Sequence, residues 1–171
     1  MKKFVVLGLL FCLVLDGTIL AGLSSKKAAY QGGTTKDKDF PGAKDAVEGT
    51  LNTGDEKELE FEYTLNKVHR VYSIPYNQII DIEYGQKAGR RVGAAVATAI
   101  LISPVGLFLL FSKKRKHFVT IGYKGIDDKD QVAVFELGKD IVRTTLAILE
   151  TRSGKKIEYQ DEDAKKSSKG N

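Results

Sequence analysis

The sequence is short of the residues that carry thiol and metal chemistry. Of 171 residues, one is cysteine and two are histidine. Cys12 has no partner for an internal disulfide, and His69 and His117 cannot assemble a Cys/His metal cluster. Tryptophan is absent. A Gly-rich phosphate loop, a nucleophile elbow and a metal-spaced histidine pair are missing as well. Gly85-Gln86-Lys87-Ala88-Gly89-Arg90-Arg91 has the glycines of a phosphate cradle without its spacing or its Lys-Ser/Thr ending. No catalytic residue, metal ligand or cofactor site follows from such a composition. At roughly 150 residues per domain the chain is long enough for one domain, which excludes an enzyme built around an interdomain cleft.

Acid is missing from one long stretch. Between Glu83 and Asp127 no aspartate or glutamate occurs, while Lys87, Arg90, Arg91, Lys113, Lys114, Arg115, Lys116 and Lys124 all lie there. The formal charge is +5, so the rest of the chain is net negative. A general nucleic-acid binder would carry its positive charge more widely. Here the cations bracket the longest apolar run in the sequence, which points to an anionic lipid surface and away from nucleic acid.

The two ends differ in kind. Lys2 and Lys3 precede the apolar run Phe4 to Leu15, with small residues following at Gly17, Ala21 and Gly22, so residues 1–23 read as a secretory signal. An uncleaved signal anchor is the alternative. Residues 24–45 are polar, rich in Gly, Lys and Asp and aperiodic, and are expected to be a flexible linker. Residues 158–171 are charged and poor in apolar side chains, and are expected to be a disordered tail.

Between them, residues 46–157 alternate as strands do. Val47 to Leu51, Glu58 to Tyr63, Arg70 to Ile74, Gln78 to Tyr84, Phe118 to Lys124 and Gln131 to Glu136 are the expected strands. Leu59, Phe61 and Tyr63 fall on one face, with Glu58, Glu60 and Glu62 on the other, so one face is expected to be buried and one wet. A helix from about Lys139 to Arg152 carries a broad apolar stripe that includes Ile141, Val142, Leu146 and Leu149. The expected class is mainly β: an antiparallel sheet or partial barrel of six strands with a packing helix at its carboxyl end. The segment VYSIPYNQIIDIEYG (Val71 to Gly85) resembles the central strands of bacterial PH-like and GRAM-like domains. HFVTIGY and QVAVFELGKDIVRTTLAILETRSGKKI are similar to their closing strands and terminal helix. That resemblance implies an interaction or lipid-adjacent module and transfers no ligand residue. The departure is the insertion between Gly85 and Lys116.

The centre of the insertion, Val92 to Phe111, is 20 residues without a charge, flanked by Arg90-Arg91 and by Lys113, Lys114, Arg115 and Lys116. As one helix it would extend ~30 Å, the width of a bilayer core. Three readings stand. It is a single transmembrane span, which would divide the β-domain between two compartments. It is a re-entrant hairpin broken at Ser103-Pro104, because proline removes a backbone donor and disfavours helix before it. Or it is a core element of a soluble protein. In the membrane readings Val92, Ile100, Leu101, Ile102, Pro104, Leu107, Phe108, Leu109, Leu110 and Phe111 enter lipid, and the six flanking cations meet anionic headgroups. His117 is then an interfacial residue, and Tyr72, Tyr76, Tyr84 and Tyr123 are packing residues. The expected function is a non-catalytic, exported module at the periplasmic face of an envelope membrane. A protein partner or a second copy stays open. The alternative is a soluble periplasmic protein or small enzyme using the apolar segment as core or substrate pocket.

Overall fold

The computed structural model describes residues 24–34, 46–86, 117–125 and 128–169. They form eight strands and two helices: β1 (Ser24–Gly33), β2 (Val47–Asn52), β3 (Glu58–Leu65), β4 (Val68–Pro75), a 3-10 turn (Tyr76–Gln78), β5 (Ile79–Gly85), β6 (His117–Lys124), β7 (Asp130–Leu137), α1 (Val142–Ser153), β8 (Ile157–Tyr159) and α2 (Glu162–Lys169). The mainly β class and all six expected strands are present, within two residues at either end. The expected helix is present too, starting three residues later than the pattern suggested.

One sheet holds every strand, in the order β4-β3-β2-β1-β7-β6-β5-β8. The first seven pair antiparallel, and β8 adds to β5 in parallel. Strands β4 and β5 are six positions apart in that order, about 29 Å in a flat sheet. Only the three residues Tyr76–Gln78 connect them, a span of at most about 14 Å. The sheet must therefore roll until these strands approach each other. The hydroxyls of Tyr72 on β4 and Tyr123 on β6 meet across the gap, with ring centroids 6.5 Å apart.

Inside the roll, Leu59, Phe61 and Tyr63 are buried as the alternation requires. Phe135 on β7 meets Phe61 at 5.3 Å and Tyr30 on β1 at 5.7 Å, joining three strands through aromatic contact. Val142, Thr145, Leu146 and Leu149 are the buried side of α1. Arg152 fixes the far end of this helix. Its Nη1 donates to the carbonyls of Thr53 and Asp55 at 2.5 and 2.6 Å, and its guanidinium lies 5.4 Å from the Tyr76 ring centre. Gly154 closes the helix in the left-handed conformation, φ 69°, with its N–H on the Glu150 carbonyl.

Two expectations are corrected. The linker proposed for residues 24–45 begins with a ten-residue strand, β1, placed between β2 and β7 in the interior of the sheet. Its composition hides it because backbone ladders on both sides hold it, and only part of it contributes apolar packing. Gly33 is part of that backbone fit, since a β-carbon there would lie 1.9 Å from the Val132 carbonyl oxygen. The tail expected to be disordered forms β8 and α2 instead. The Asp161 carboxylate caps α2 by accepting from the Ala164 N–H at 2.7 Å. Glu162 and Asp163 occupy its first turn and Lys166 and Lys169 its last, matching the helix dipole, and Ala164 is fully buried.

Candidate functional site at the strand ends around the apolar segment

The long connection leaves the sheet at the end of β5 and returns at the start of β6. These are neighbouring strands: Gly85 is opposite Phe118, Tyr84 opposite Val119 and Ile82 opposite Ile121. The two roots of the connection are therefore one strand spacing apart, about 4.8 Å, at one end of the sheet. The sequence-proposed contact residues Arg90, Arg91, Lys113, Lys114, Arg115 and Lys116 lie outside the described residues. So do Val92, Ile100, Leu101, Ile102, Pro104, Leu107, Phe108, Leu109, Leu110 and Phe111. No helix among the described residues is long and apolar enough to cross a membrane.

The roots themselves are clamped by the carboxyl-terminal segment. Tyr84 is fully buried, and its backbone carbonyl accepts from the Gln160 N–H at 3.0 Å. Gln160 also packs on Gly85 so closely that a β-carbon at Gly85 would lie 1.8 Å from its side chain. The Tyr84 ring stands edge-to-face with Tyr159 of β8, 6.1 Å between centroids. Its hydroxyl lies 2.6 Å from His117 Nδ1 and 3.2 Å from Ser167 Oγ.

One assignment of protons satisfies all three hydrogen bonds at once. Ser167 donates its only hydroxyl proton to the Ala164 carbonyl at 2.8 Å. Tyr84 must then donate to Ser167, and His117 must donate from Nδ1–H to Tyr84. In that assignment His117 is the Nδ1–H tautomer, with its lone pair on Nε2. Burial is the main cause that lowers the His117 pKa, helped by Lys139 and opposed by Glu136. Burial likewise raises that of Tyr84. The sequence placed His117 at an interface but gave no sign of its connection to a serine 50 positions later, because the tail was not expected to fold.

A lowered histidine pKa in the folded state makes the neutral ring the stabilising form. That stability is present above the unfolded value near 6.5 and is lost as pH falls below it. Between pH 7.5 and 5.5, thermal denaturation of the wild type should shift down by more than that of His117→Gln, whose side chain does not titrate. An equal shift in the two proteins would remove His117 as the cause.

The remaining candidates resolve into structural roles. Tyr76, Tyr84 and Tyr123 are buried in the core cluster, and Tyr72 packs against it. His69 has Glu62 Oε2 at 3.8 Å on an open surface. No group of three His, Cys, Asp or Glu among the described residues is arranged to hold a metal. The wet outer face expected from alternation is found on β3 but not on β6 and β7. There Phe118, Thr120, Val132 and Val134, which alternate with the core residues Val119, Ile121, Ala133 and Phe135, are also buried. No protein family model, curated protein or solved structure matches this chain.

Proposed function

We propose that this protein is a non-catalytic, exported, membrane-associated module: a PH-like β-domain held at the periplasmic face of an envelope membrane by the apolar segment Val92 to Phe111. The observation that carries this reading is the β5–β6 ladder, which sets both roots of the segment side by side at one end of the sheet. A single span would require β6, β7 and α1 to lie across the bilayer from the strands they pair with. A re-entrant hairpin keeps the ladder intact. Val92 to Ile102 as a helix extends about 16 Å, roughly half the bilayer core. The turn at Ser103-Pro104 then needs either a tilted, shallow insertion or cover from a neighbouring copy to satisfy its backbone. Arg90, Arg91 and Lys113 to Lys116 return to the headgroup layer on the side of the β-domain, each contributing about 1 kcal/mol on an anionic surface. The PH-like reading draws support from the antiparallel run of seven strands followed by a helix packed on the rolled sheet.

A second reading is favoured by one observation: the buried outer face of β6 and β7. A soluble protein whose apolar segment covers that face would bury these residues without lipid. Sidedness separates the membrane topologies. Exposed Glu56, before the segment, and exposed Glu150, after it, are changed singly to cysteine in a Cys12→Ser background. They are then treated with a membrane-impermeant thiol reagent on cells stripped of their outer layer. Labelling of both is expected, and labelling of only one would establish a single span.

A further inference from the structure

The proton count at Tyr84 leaves one nitrogen of His117 unspent. Nδ1–H is committed to Tyr84, and Nε2 has no hydrogen bond to a described residue. His117 is partly exposed, and it follows directly on Lys113, Lys114, Arg115 and Lys116 at the root of the apolar segment. Resting on the membrane reading above, we propose that His117 is a pH-responsive headgroup contact. Protonated at Nε2, it presents a charged N–H donor to a lipid phosphate.

The geometry makes this change local. The incoming proton goes to Nε2, so the bonds from Nδ1 through Tyr84 to Ser167 survive, and α2 stays latched in both charge states. Among the described residues, the groups that face the ring are few. Tyr84 comes from β5, with Tyr159 of β8 behind it. Glu136 of β7 attracts a cation, and Lys139 after β7 repels one. Burial and Lys139 favour the neutral ring. A phosphate at Nε2 supplies the counter-charge that Glu136 provides only in part. Because the two events are linked, an anionic surface that favours protonation is bound more tightly by the same factor once the ring is charged. One added cation at such a surface corresponds to about fivefold in affinity.

The test uses the full chain, labelled with 15N-histidine and reconstituted into lipid nanodiscs of either phosphatidylglycerol or phosphatidylcholine. Ring 15N shifts are followed from pH 8 to 5. The neutral form of His117 should be the Nδ1–H tautomer in both. Its titration midpoint should lie about 0.7 of a pH unit higher in phosphatidylglycerol, the same fivefold expressed in protons. Equal His117 midpoints in the two lipids, or an Nε2–H neutral form, would overturn the inference and leave the membrane reading in place. A chain that enters neither disc would overturn both. Inorganic phosphate added to phosphatidylcholine discs is the third arm. If it reproduces the shift, the ligand is a free phosphate and the lipid assignment falls.

Discussion

Replacing residues 87–116 by Asn-Gly yields a chain that folds with the same sheet and stays in the supernatant after alkaline extraction. The replacement follows from the register. With Gly85 opposite Phe118, Gln86 and His117 are the next pair, and a two-residue type I′ turn closes that hairpin with the twist the strands need. The structure already uses such a turn between β3 and β4, where Asn66 and Lys67 have φ 52° and 67° and Leu65 pairs with Val68. Shortening the connection from 30 residues to two lowers loop-closure entropy by about 2 kcal/mol in favour of folding. The variant should unfold cooperatively at a temperature no lower than that of the full chain and give the same far-ultraviolet spectrum. If the apolar segment is instead a soluble core element, its removal uncovers Phe118, Val132 and Val134, and the variant aggregates or unfolds.

The largest loss of stability from a single substitution is expected at Phe135. Its side chain is fully buried on β7, the strand between β1 and β6, and it touches Tyr30 and Phe61 from two other strands. Phe135→Ala leaves a void that three stiffly paired strands cannot collapse into, which costs about 3–5 kcal/mol. For a domain whose total stability is about 5–15 kcal/mol, that is a fifth or more of the whole. The denaturant midpoint should fall accordingly while the slope of the transition is kept. A loss under about 1 kcal/mol would mean that β1 does not sit against β7 as described.

Strands β2 to β7 were legible because their alternation is an effect of burial on one side of a sheet. Leu59, Phe61 and Tyr63 against Glu58, Glu60 and Glu62 is the plainest case, and Ile141 to Leu149 marked the helix for the same reason. β1 was not legible: SSKKAAYQGG owes its place to hydrogen bonding with β2 and β7, which leaves no side-chain period. α2 left a readable but weak sign, an aspartate three residues before a buried alanine with acids first and lysines last. Composition alone outweighed it. The candidate site divided in the same way. Its cations and apolar residues stand out in the sequence but lie outside the described residues, whereas the link from His117 through Tyr84 to Ser167 depends on tertiary contacts that no local pattern encodes.

The adjacency of the two roots gives the apolar segment a single point of departure from the β-domain, and membrane attachment through that segment is the claim on which the functional account stands. Alkaline extraction of membranes from cells expressing the intact chain addresses it directly, since high pH strips proteins bound by charge alone and leaves those held in hydrocarbon. The full chain is expected to remain in the pellet. Recovery of the intact chain in the soluble fraction would contradict it.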